Sequence, residues 1–108
     1  MTSLNVFVTE SNVELYLSKL YTTINPAERD NILRLLANEV AAMGNSREHV
    51  ENGERRMAEC RQRLERQRLI VSGLPSEHPD ALLLETLERT QVLLVQQLES
   101  LRERQKRL

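Results

Sequence analysis

The sequence predicts an all-α protein, an elongated, coiled-coil-like antiparallel helical hairpin with an extra N-terminal helix. Two apolar ladders with 3-4 spacing flank a short Gly/Pro segment. They are Val50, Gly53, Met57, Cys60, Leu64, Gln67, Val71 and Leu84, Leu87, Gln91, Leu94, Leu98, Leu101, Gln105, Leu108. Such spacing is the seam of helices that pack lengthwise. Aromatic residues make up only 3% of a chain that is 40% hydrophobic, so the core is aliphatic, which suits leucine-rich helices better than a sheet. Glycine and proline number three each and stand at isolated positions, leaving long stretches without a breaker. At 108 residues the expectation is a single helical domain spanning 1–108.

The elements follow in order. Residues 4–8 alternate and are rich in β-branched side chains, which locally resembles a strand. With no second strand in the chain, residues 1–9 are read as an extended arm packed on helices, the alternative being a strand paired with its copy in a second subunit. A first helix is expected over 10–24, capped by Ser11 or Asn12, with Val13, Tyr16, Leu17, Leu20, Tyr21 and Ile24 at helical spacing. Asn25, Pro26 and Glu28 then supply a cap, a first-turn proline and a glutamate three residues after the cap, the clearest helix start in the chain. The helix that follows buries Ile32, Leu33, Leu36, Val40 and Met43.

Gly44 is a possible stop, yet Met43, Ser46, Val50, Gly53 and Met57 keep the alternation in phase across it. The reading is therefore one continuous or kinked helix over 26–72, about 70 Å long at 1.5 Å per residue. Gly73, Pro75 and Pro79 make the firmest break, a turn over 73–78. A last helix follows over 79–107.

Folding at that turn pairs Val71 with Leu84, Gln67 with Leu87, Leu64 with Gln91, Cys60 with Leu94, Met57 with Leu98, Gly53 with Leu101 and Val50 with Gln105. Every layer has at least one apolar member, which supports the hairpin. The same fold sets Arg102, Arg104, Lys106 and Arg107 beside Glu48, Glu51 and Glu54, and the 55–68 stretch beside Glu88 and Glu99, so charge agrees with the apolar register. The expected shape is a rod with two helices in cross-section. Leu69, Ile70, Leu82, Leu83, Leu93 and Val95 fall off the seam and are candidate interface residues, pointing to a homodimer.

Composition narrows the functional classes. The net charge is -1, with four bases and eight acids in 1–54 and eleven bases and eight acids in 55–108, short of a dedicated nucleic-acid binder. Cys60 is the single cysteine and falls on the seam, where it is read as core filling in a reducing compartment. The N-terminus lacks a positively charged region followed by a long apolar run, and no uncharged run nears the roughly 20 residues that span a bilayer. A cytoplasmic protein without a membrane partner is expected.

Catalytic and metal patterns are sparse. His49 and Cys60 share a helix face but lie eleven residues apart, roughly 16 Å along a helix, too far for shared ligation or for a nucleophile and its base. His78 stands beside Glu77 in the turn, where the ordinary role of a loop histidine is solvation. No enzyme activity, metal or cofactor is expected. Arg55, Arg56, Arg61, Arg63, Arg66 and Arg68 are possible phosphate-contacting residues, which keeps a nucleic-acid-associated regulator as the alternative function. They spread around the helix and interleave with Glu59 and Glu65, so a solvated, partly paired surface is the simpler reading. Gln67, Gln91 and Gln105 stand where leucine would pack better. They either set the register, Gln67 reaching Gln91, or mark the rim of the seam.

The run 54–67, the turn near Gly73 and the segment Leu82, Leu83, Leu84, Glu85, Thr86, Leu87, Glu88 resemble small uncharacterised helical-hairpin proteins of bacteria. The resemblance covers roughly residues 25–101 and implies the hairpin fold, with no catalytic or binding residue to carry over. The leading expectation is a non-catalytic interaction or scaffold protein that self-associates or presents helix faces to another protein.

Overall fold

The computed structural model describes residues 4–43 and 47–106, and the protein is all-α: four helices, with no strand among the described residues. They are α1 (Leu4–Leu20), α2 (Pro26–Ala41), α3 (Arg47–Val71) and α4 (Pro79–Lys106). The expected hairpin is present as α3 and α4, the most extensively packed pair. Its turn places Gly73 at φ 87°, a left-handed conformation that favours glycine, while Leu74 N–H donates to Val71 O at 2.8 Å.

Three boundaries differ from the expectations. The stretch read as an arm over 1–9 is helical from Leu4 onward, as the start of α1. A lone strand would leave its backbone unpaired, whereas a helix satisfies those groups internally, and this outweighs the local β-preference of Val6 and Val8. The first helix ends at Leu20, short of 24, and Thr23 N–H closes the turn onto Leu20 O. The helix expected over 26–72 is two helices: α2 ends at Ala41, where Ala42 N–H donates to Asn38 O and Met43 N–H to Val40 O. Gly44, Asn45 and Ser46, on which continuity turned, lie outside the described residues, as do Arg107 and Leu108.

The molecule is a bundle of 48 × 22 × 20 Å in place of the long rod. Two antiparallel hairpins, α1–α2 and α3–α4, lie side by side in the same sense. Glu10 meets His49, Glu14 meets Arg56 and Tyr21 meets Arg63, so α1 runs parallel to α3. Thr86 Oγ1 donates to Thr23 O, Gln97 Nε2 to Leu36 O and Arg104 Nη1 to Met43 O, so α2 runs parallel to α4. The core joins all four helices, with Val13, Leu17 and Leu20 from α1, Ile32, Leu36 and Val40 from α2, Val50 and Cys60 from α3, and Leu94, Leu98 and Leu101 from α4. Doubling back buries two sides of each helix where a rod buries one stripe, which favours the shorter bundle.

The α3–α4 seam is antiparallel, as expected. A Cβ on Gly53 would meet Leu98 Cδ1 at 3.2 Å before Leu101 Cδ1 at 4.0 Å, and Cys60 Sγ lies 3.9 Å from Leu87 O. The Gln67 amide donates to Asp80 O at 2.8 Å, tying α3 to the first turn of α4. The expected charge alignment is present in Arg102–Glu54 at 3.1 Å and Arg68–Glu88 at 3.8 Å.

Candidate functional site

The structure gathers charge in one place that the sequence reading did not assemble. Glu10 and Glu14 lie four residues apart on α1, and His49 and Arg56 seven apart on α3, so each pair occupies one helix face. His49 Nδ1 donates to Glu10 Oε1, and the Arg56 guanidinium bridges the Glu10 carboxylate and Glu14 Oε1, the latter at 2.9 Å from Nε. Arg56 Nη2 also donates to Glu10 O at 3.3 Å, and Arg55 pairs with Glu14 from the solvent side at 3.1 Å. His49 is 2% exposed and Arg56 3%. The carboxylates and the arginine and histidine donors here are matched to one another, so the cluster is a clasp between the hairpins.

The remaining titratable candidates have structural roles. Cys60 is fully buried, and burial pushes its thiol up to about 11, which keeps it protonated and unreactive near neutral pH. His78 caps α4: its Nδ1 accepts from Asp80 N–H at 3.1 Å, and its carbonyl accepts from Ala81 and Leu82. Tyr21 has its phenol pushed up to about 12, first by burial and then by Cys60, against the opposing pull of Arg63, whose guanidinium stacks 4.1 Å from the ring centroid. Among the described residues no group of three His, Cys, Asp or Glu side chains is placed to hold a metal ion. No described helix is long and apolar enough to cross a membrane.

The six arginines do not form one basic surface. Arg56 is buried in the clasp, Arg55 and Arg68 are paired with Glu14 and Glu88, and Arg63 lies over Tyr21. Arg61 and Arg66 are exposed. Of the seam glutamines, Gln67 bonds to the α4 backbone, and Gln91 Oε1 is buried without a partner among the described residues, so the expected Gln67–Gln91 bond is not formed.

The candidate interface residues divide. Leu69 is 80% exposed and Ile70 is exposed beside it, near the α3–α4 turn. Leu82, Leu83, Leu93 and Val95 are half-buried, and Leu93 packs on the core beside a recess lined by Ala37, Val40 and Ala41 of α2. The α1–α2 hairpin thus covers in cis part of what the sequence reading assigned to a second subunit.

A second apolar surface lies on the far side of that hairpin. Val8 and Leu15 on α1, Ile24 in the turn and Leu35 on α2 are exposed. Between the helices a cleft of about 490 Å³ is lined by Tyr16 and Ile32, with Lys19 on one wall and Glu28 on the other. Ile24 was expected at helical spacing in the first helix, and Val8, Leu15 and Leu35 were not singled out. Their 7- and 11-residue spacings were legible, but which face they occupy depends on where α3 and α4 sit.

Comparison of the chain with protein-family models, with curated proteins and with solved structures yields no match.

Proposed function

We propose that this chain is a non-catalytic interaction or scaffold protein that self-associates, as a dimer, into a larger helical bundle. The observation that carries the reading is the row of exposed apolar side chains, Val8, Leu15, Ile24 and Leu35, on a hairpin whose opposite side is already buried against α3 and α4. The use of charged groups supports it too: Glu10, His49 and Arg56 are spent on internal pairing, and Cys60 is inert. A buried, unpaired cysteine fits a reducing compartment, so we place the protein in the cytoplasm. A nucleic-acid regulator using residues 55–68 has less support, because Arg56 is buried and Arg55, Arg63 and Arg68 already have partners.

Light scattering coupled to size-exclusion chromatography, run over a wide concentration range, tests self-association. A mass that rises to twice 12.5 kDa with concentration is expected. A monomer at every concentration, with undiminished helix signal on dilution, overturns it.

A further inference from the structure

We propose that the outer face of the α1–α2 hairpin is where two copies of this chain pair, about a two-fold axis running along the hairpin. The inference rests on the self-association reading and names the face that carries it. At about 100° per residue, Val8, Leu15 and Lys19 fall on one side of α1, and Glu28 and Leu35 on one side of α2. All five are exposed. They point away from the clasp to α3 formed by Glu10 and Glu14, and away from the core residues Val13, Leu17, Leu36 and Val40.

The charges of this face are self-complementary. Glu14 is committed to Arg55 and Arg56, and Glu39 accepts from Asn12 at 3.1 Å. Lys19 and Glu28, on opposite walls of the cleft, have no side-chain ion pair among the described residues. A two-fold axis parallel to the helices lays α1 of each copy over α2 of the other, in antiparallel contact because α1 and α2 run in opposite directions. Lys19 then meets Glu28 of the partner subunit, and the symmetry makes the pair twice.

The apolar register agrees with the charge register. Leu15 lies about 6 Å from Lys19 along α1, and Leu35 about 10 Å from Glu28 along α2, both leading away from the turn. Leu15 therefore falls near Leu35 of the partner subunit. The face projects about 25 × 20 Å, and a corrugated helical surface of that size approaches the roughly 800 Å² per partner of a specific interface. Of the other exposed apolar side chains, Leu69, Ile70 and Leu74 occupy only an end of the 22 × 20 Å cross-section, and Phe7 and Val92 lie on separate helices.

The test is sedimentation equilibrium of the full chain and its variants, with circular dichroism to confirm that each is folded. Lys19→Glu and Glu28→Lys each bring like charges together twice, and each is expected to weaken the dimer about tenfold or more. The double reversal is expected to recover most of that loss. Leu15→Arg should give a folded monomer, and Leu69→Asp should leave the dimer unchanged. A wild-type dimer indifferent to Lys19→Glu, Glu28→Lys and Leu15→Arg overturns this face while leaving self-association standing. Single reversals that the double fails to rescue also overturn it, and a wild-type monomer at all concentrations overturns both.

Discussion

The two contacts that join the hairpins are built from different chemistry. Between α1 and α3 the described contacts are ionic and aromatic: Glu10 and Glu14 against His49, Arg55 and Arg56, and Tyr21 under Arg63. Between α2 and α4 the join is mainly aliphatic packing of Ile32, Leu36 and Val40 with Leu94 and Leu98, backed by side-chain bonds to the carbonyls of Thr23, Leu36 and Met43 and by a single ion pair, Arg29 with Glu85. An aliphatic contact adapts to small shifts, whereas a buried ion cluster tolerates only the arrangement in which every charge is matched. The clasp thus orients the α1–α2 hairpin on a contact that apolar packing makes stable.

Breaking the clasp on one side is expected to have the largest effect. Arg56→Ala strands the Glu10 carboxylate against His49 in a buried site and should cost about 3–5 kcal/mol in denaturant unfolding. Replacing Glu10, His49 and Arg56 together by leucine, leucine and methionine should cost far less. If the triple variant is also severely destabilised, the clasp contributes net stability beyond matching its own charges.

On the aliphatic side, Leu36 is fully buried, and Leu36→Ala should cost about 3 kcal/mol with unchanged helix content in the surviving folded fraction. Comparable costs for Leu36→Ala and the triple clasp variant would erase the distinction between the two joins.

Alkaline pH probes the interior between them. Burial raises Cys60 from 9.0 to about 11 and Tyr21 from 10.0 to about 12. The unfolded chain therefore releases these protons first, and stability present below about pH 9 is lost as pH rises through 9–12. Each group should account for about 1–2 kcal/mol, less for Tyr21, which keeps some contact with water. Denaturant midpoints measured across that range should fall, and Tyr21→Phe and Cys60→Ala should each flatten the decline.

The smallest expected effect is at a single hydrogen bond. Thr86 is fully buried, and its hydroxyl donates to Thr23 O at 2.9 Å, holding the α1–α2 turn onto α4. Thr86→Val keeps the shape, leaves that carbonyl without its donor and should cost about 1 kcal/mol, read as a shift in urea midpoint.

Much of the fold was legible. The Asn25 cap, whose side chain accepts from Glu28 N–H, the Gly73 turn and the 3-4 spacing of the last two helices are local patterns, and all three are present. The continuous stripe across Gly44 misled because residues on both sides, Met43 and Val50, enter the same core, so the phase survives although the chain reverses. Arg29 carries no local signal for burial, yet it is buried, with Nε 3.0 Å from Asp30 Oδ1 and Nη1 3.5 Å from Glu85 Oε1 across the α2–α4 join. The clasp was hidden for a related reason: Glu10 and His49 lie 39 residues apart, and no periodicity links them.

The sequence by itself determined that this chain is helical, that its core is aliphatic and that its last two helices fold back on each other. These follow from spacing, capping and breakers, which act over a few residues. Only the tertiary structure decided that the first two helices form a second hairpin beside the other. It also decided that Glu10, His49 and Arg56 close into a buried cluster and that Val8, Leu15 and Leu35 stay in solvent. Those outcomes depend on which faces of distant segments meet, and the meeting is chosen by total burial and charge matching over the whole bundle.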